Sequence, residues 1–151
     1  MKTDKQFILH PSSFILLLAF CLFALAPLTA PGYFIYAHDA RHSVYFLKMF
    51  DLSIQDGAWY PRWAADMVFG YGYPLWLILA PIPFFVGEAF HLVGFDFVSA
   101  VKIVDGLALF FSAVTMYLFA SRVLGKSAGL VAAIAYAYIP YHLVDLYVRA
   151  A

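Results

Sequence analysis

Three apolar stretches constrain this chain more than any other feature: Phe14–Ala30, Phe97–Ser121 and Ser127–Val144. Each is long enough to cross the hydrocarbon of a bilayer as a single helix, which takes roughly 17–25 residues. Inside hydrocarbon every backbone N–H and C=O must find a partner within its own segment, so such runs fold as helices. The rest of the composition agrees. Of the 151 residues 65% are hydrophobic, where soluble domains have about 45–50% apolar residues, and the mean hydropathy is +0.84. The expected class is an all-α polytopic membrane protein with three to four transmembrane helices and a helical outer loop. A formal net charge of +0 gives no reason to expect nucleic acid as a partner. The single cysteine, Cys21, rules out an intrachain disulfide.

Lys2 and Lys5 precede the first run, as in a signal peptide or a signal anchor. Leu28-Thr29-Ala30 is a poor cleavage site and Pro31 follows it, which favours an uncleaved first helix with its N-terminus in the cytoplasm. Pro27 marks the frayed outer end of that helix.

Between the runs lies His38–Pro74, with four acids, three bases and two histidines in a chain only 12% charged. Charge is costly in hydrocarbon, so this segment belongs at the membrane surface or along a protein cavity. Phe46, Leu47, Phe50 and Ile54 fall on one helical face, and Arg41, Lys48, Asp51 and Gln55 lie largely away from it. That period predicts an amphipathic helix over 40–55, lying in the interface plane and ended by Asp56-Gly57. Tyr60-Pro61-Arg62-Trp63 predicts a second short helix over 61–69, with proline in its first turn and Gly70, Gly72 and Pro74 stopping it. Trp59, Tyr60, Trp63, Tyr71 and Tyr73 are expected to cluster at headgroup level or against the first of these helices.

The run Leu75–Val93 carries Pro81, Pro83, Glu88 and His91, all costly on a lipid-facing span. Parity bears on it too. The short basic connection Arg122–Lys126 belongs in the cytoplasm by the positive-inside rule, and it falls there only if Leu75–Val93 does not cross. The chain then divides into a cytoplasmic N-terminus (1–12), a transmembrane helix (13–31), an outer loop with amphipathic helices (32–74) and a re-entrant or membrane helix (75–94). A transmembrane helix (97–121), a short basic cytoplasmic loop (122–126), a transmembrane helix (127–146) and an outer-side end (147–151) follow. This topology puts His142, Asp145 and Arg149, spaced to share a helical face, on the same side as Asp39.

Each polar group has a plain reading beside a functional one. Asp39 is placed to cap the helix starting near Ala40, or to act as a catalytic carboxylate. His38 and His42 have a four-residue spacing that suits a metal, yet no third ligand is placed, so they read as interfacial polar residues. Arg62 suits a lipid-carrier phosphate, or headgroups, or a pair with Asp66. Glu88 and His91, one turn apart, are expected to satisfy each other or face a wet cavity, and Lys102 and Asp105 to form a pair near the bilayer edge.

His-Asp after the first helix, then YPRW, then Gly-Tyr-Gly-Tyr-Pro leading into an apolar run, resembles the N-terminal part of a bacterial membrane protein family. Its members are labelled 6-pyruvoyl-tetrahydropterin synthase-related and are similar to GT-C glycosyltransferases. The stretch RVLGKSAGLVAAIAYAYIPYHLVDLYVRAA fits the same pattern, so the resemblance spans roughly residues 30–151. It implies a transferase using a polyprenyl-phosphate-linked sugar at the outer face of the bacterial cytoplasmic membrane. Asp39 would match the family's first-loop acid, a general base or a ligand of a divalent metal, and Asp145 the second acid. Arg62, Arg149, His38 and His142 are the candidates for substrate or phosphate binding. Members of the family run to several hundred residues, so this chain reads as an N-terminal fragment, inactive on its own. The rival expectation is a non-catalytic transport or assembly component. Pterin synthesis is not expected, because that soluble enzyme needs three zinc-binding histidines and His10, His38, His42, His91 and His142 are scattered.

Overall fold

The computed structural model describes residues 11–33 and 37–149. The expected cytoplasmic N-terminus with Lys2 and Lys5 therefore lies outside the described residues, apart from its last two positions. Among the described residues every regular element is helical, and the one extended pairing is an isolated bridge between Ala64 and Tyr73. The elements are α1 (Pro11–Leu25) with a tighter turn over Ala26–Thr29, α2 (Ala40–Gln55), α3 (Leu75–Ile78), α4 (Ile82–Leu92), α5 (Phe97–Leu124), α6 (Lys126–Ala137) and α7 (Pro140–Val144), then a π-turn over Asp145–Arg149. Three segments are long and apolar enough to cross a membrane: Pro11–Thr29, Phe97–Leu124 and Lys126–Arg149. The 11 residues of α4 would reach about 16 Å at 1.5 Å per residue, against a hydrocarbon core of about 30 Å.

The chain forms two compact units. One comprises Met1–Ala30 with Leu107–Leu143, the other Pro31–Gly106 with Val144–Ala151. In the first unit α1 packs on α6. Phe20 meets Tyr138 edge to face at 6.2 Å, and the Tyr138 hydroxyl donates to the Phe20 carbonyl at 2.7 Å. Gly129, Ala133 and Ala137 recur at four-residue spacing on α6, and all are buried. A Cβ at Gly129 would sit 2.8 Å from the Ser121 backbone nitrogen, so only glycine lets the two backbones approach this closely.

The expected helix over 127–146 is interrupted at Tyr138–Ile139. Pro140 has no N–H and its ring crowds the carbonyl four residues back. That carbonyl, on Tyr136, instead accepts from His142 Nδ1 at 2.8 Å.

In the second unit α2 forms where the period predicted it. Its apolar face closes on α4, with Leu47 and Phe50 buried and Leu47 against Gly87. Phe50 is the centre of an aromatic cluster, 5.2 Å from Trp76, 4.9 Å from Phe85 and 5.9 Å from Phe84. Burying a ring of this kind is worth about 1.5–3 kcal/mol, which accounts for α2 as a packed element. Asp51 departs from expectation: it is buried, not turned away from the apolar face.

The helix predicted over 61–69 does not form. Ala64 and Tyr73 exchange both backbone hydrogen bonds, at 2.8 and 3.0 Å, and the intervening chain turns back on itself. Gly72 allows this with a φ of +79°, in a position where any side chain would run into the Trp63 indole. The predicted aromatic cluster is also only partly there. Tyr60 lies 5.9 Å from Phe85, but Trp59 and Tyr71 are 85% and 84% exposed.

Leu75–Val93 is not one helix. α3 and α4 are separated at Leu79–Pro81, where the prolines remove helix donors.

Candidate functional site

A cavity of about 540 Å³ opens in the second unit between α2, α4 and the first turns of α5. Its polar lining is Asp39, His42, Ser43 and Asp105, and its walls include Phe46, Leu47, Phe84, Val101 and Val104. α2 therefore contributes to two environments. The face one step round packs into the aromatic cluster, while its first two turns supply the cavity's polar edge.

Asp39 stands at the N-terminus of α2 but does not cap it through its side chain. Its main-chain carbonyl takes the His42 N–H at 2.8 Å, which leaves the carboxylate free for other partners. Those partners are histidines. His38 Nδ1 lies 3.2 Å and His42 Nδ1 3.5 Å from the same Asp39 oxygen. The His38 hydrogen bond, followed by the neighbouring His42, holds the Asp39 carboxyl below the ordinary carboxylate range. Asp39 is thus an ionised acceptor at neutral pH. This donor set does not fit a metal: both Nδ1 atoms are directed to one carboxylate oxygen. Among the described residues no group of three His, Cys, Asp or Glu side chains is placed to hold an ion.

The C-terminal cluster comes to the same place through the backbone. The His38 N–H donates to the Val148 carbonyl at 2.9 Å and the Asp39 N–H to the Arg149 carbonyl at 2.7 Å. The final π-turn would otherwise leave those carbonyls unpaired. Arg149 and Asp145, spaced to share a helical face, form an ion pair at 3.0 Å. That pair answers Asp145, which does not line the cavity. His142 is engaged by Tyr136, through its carbonyl and through a ring contact at 4.5 Å. Arg62 lies neither on Asp66 nor in the cavity: its guanidinium sits over the Tyr60 ring at 5.6 Å.

Asp105 is the cavity residue that sequence reasoning assigned elsewhere, to a helical pair with Lys102. Its Oδ2 accepts the Tyr33 hydroxyl at 3.1 Å. Burial, and then the Asp105 charge, push the Tyr33 phenol up, so it remains a donor over the physiological range. The signal that could have found Asp105 is an ionisable residue inside an apolar run, which by default faces a cavity or a partner.

The expected pair of Glu88 with His91 is likewise replaced. His91 stacks on Phe97 at 3.9 Å and its Nδ1 reaches the Phe95 carbonyl at 2.8 Å. Glu88 is buried with neither oxygen hydrogen-bonded. Burial, and next the charge of Asp51, push its carboxyl up, with His91 pulling the other way. Asp51 is itself satisfied, because Gln55 Nε2 reaches both its oxygens at 2.9 and 2.8 Å.

On the opposite face of α2 a smaller pocket of about 340 Å³ is lined by Arg41 and Lys48 among Tyr33, Val44 and Phe97. No family model matches the chain, and neither a curated protein nor a solved structure does.

Proposed function

We propose that this chain is the N-terminal module of a membrane-embedded, GT-C-like glycosyltransferase that uses a polyprenyl-phosphate-linked sugar at the outer face of the bacterial cytoplasmic membrane. The observation that carries the reading is the position of Asp39. An ionised carboxylate, not spent on capping, lines a largely apolar cavity of about 540 Å³, a size typical of small-molecule sites at about 300–1,000 Å³. In the proposed reaction Asp39 accepts the proton of the attacking acceptor group as general base, and His38 and His42 orient it. Arg149, whose carbonyl holds the Asp39 N–H, is the cation nearest in the chain's hydrogen bonding for a carrier phosphate. Asp145 positions that guanidinium. A divalent metal enters no step.

The rival reading is a non-catalytic transport or assembly component. It draws on the same residue, since a carboxyl already held low by two histidines is a weak base.

The test is sugar transfer in membranes carrying the protein as encoded, compared with Asp39→Asn. Loss of roughly 10²–10⁴-fold in rate, the usual contribution of a general base, with an unchanged melting profile supports catalysis. Transfer at the wild-type rate would leave Asp39 a structural residue.

A further inference from the structure

The cavity beside Asp39 is lined by two carboxylates. Asp39 and Asp105 both line it, with the His42 imidazole and the Ser43 hydroxyl, and among its described lining residues there is no lysine or arginine. The cations of α2 are on its other side, where Arg41 and Lys48 line a separate pocket. An anion entering the cavity would meet two carboxylates beside the walls formed by Phe46, Leu47, Phe84 and Val104. An ammonium group would be attracted by both.

Asp105 also has capacity to spare. A carboxylate offers about four lone-pair sites, and the Tyr33 hydroxyl takes up one of those on Oδ2. Tyr33 fixes the orientation of the carboxylate without neutralising it. The apolar walls, for their part, suit hydrocarbon better than a fully hydrated small cation, because a bare ion would lose its water shell without enough oxygens to replace it.

We infer that this cavity binds a cationic amphiphile, its primary ammonium head held by Asp39 and Asp105 and its hydrocarbon body lying along Phe46, Leu47, Phe84 and Val104. This goes beyond the reading above, which assigns the carrier phosphate to Arg149, outside the lining of this cavity. It does not depend on sugar transfer.

The 151-residue chain in nanodiscs of a zwitterionic lipid is incubated with radiolabelled dodecylamine, and retention is measured against empty discs. Saturable binding is expected, with dodecyl phosphate and dodecanol competing roughly tenfold more weakly or worse. Asp105→Asn should weaken dodecylamine by a similar factor, Asp105→Glu should recover most of it, and Lys48→Met, on the other face of α2, should leave it unchanged. Equal competition by dodecanol would overturn charge recognition, and tighter binding of dodecyl phosphate would reverse the assignment. Because the competition series uses the wild-type chain, a variant that fails to fold does not rescue the inference. If transfer depends on Asp39 but dodecylamine is not retained, this inference fails and the transferase proposal stands. Retention without any transfer does the opposite.

Discussion

At the scale of single residues, Glu88 is the group whose environment most conflicts with its chemistry. A carboxylate with two unpartnered oxygens sits beside the buried, Gln55-bonded Asp51. The conflict is relieved when Glu88 keeps its proton, and burial with the Asp51 charge raises its pKa accordingly. The folded state therefore binds this proton more tightly than the unfolded chain does. Its contribution to stability is complete below the ordinary glutamate range and is lost as pH rises through the raised folded value. Glu88→Gln, which is neutral at every pH and brings a donor toward Asp51, should match wild type in acid. At alkaline pH it should be more stable by about 1–3 kcal/mol, the usual cost of a buried unsatisfied polar group. Thermal melts across pH check this, and parallel curves for the two proteins would count against it.

At the scale of elements, the segment from Trp59 to Tyr73 shows how a local signal can be overruled. Proline in a first turn, followed by polar and apolar residues at helical spacing, is a fair helix start. Here the Ala64–Tyr73 bridge sets the path instead, and Ala64 is fully buried as its anchor. The turn that follows holds Val68 and Phe69 at φ of 54° and 57°. A β-branched residue rarely adopts that conformation, which costs on the order of 1–3 kcal/mol per residue. The Phe69 side chain itself makes no part of the unit's core, being 101% exposed. Trp59, Tyr71 and Phe69 are instead well suited to the headgroup region, where aromatic rings concentrate. Phe69→Ala should change the unfolding free energy by no more than about 0.5 kcal/mol. A spin label on Phe69→Cys, with Cys21 replaced, should be reached more readily by oxygen than by a water-soluble nickel chelate in nanodiscs. The reverse preference would place the turn in water.

At the scale of the whole molecule, three segments among the described residues are long enough to span and α4 is too short, and the parity argument from Arg122 and Lys126 makes a prediction of sidedness. If α3 and α4 do not cross, Asp39 and Tyr147 face the same compartment and Gly125 the opposite one. The first half of that expectation draws on the backbone bonds from His38 and Asp39 to Val148 and Arg149. Membrane-impermeant thiol labelling from outside should modify cysteines placed at Asp39 and Tyr147 but not at Gly125. Labelling at Gly125 with protection at Tyr147 would mean that the region around α4 spans after all.

The sequence by itself determined the helical class, the three long apolar segments and the extent of α2. These follow from composition and from contacts within about one helical turn, and both are written in the order of residues. Tertiary structure alone decided which polar residues meet. Asp105 takes a hydrogen bond from Tyr33, 72 positions away. Glu88 faces Asp51 on α2 in place of His91 on its own helix. Asp39 is tied to Arg149 through main-chain atoms that carry no residue identity. One-turn spacing brings two side chains within reach, but a partner on a packed neighbour can offer the better hydrogen bond or the deeper burial. Helical periodicity does not register that competition.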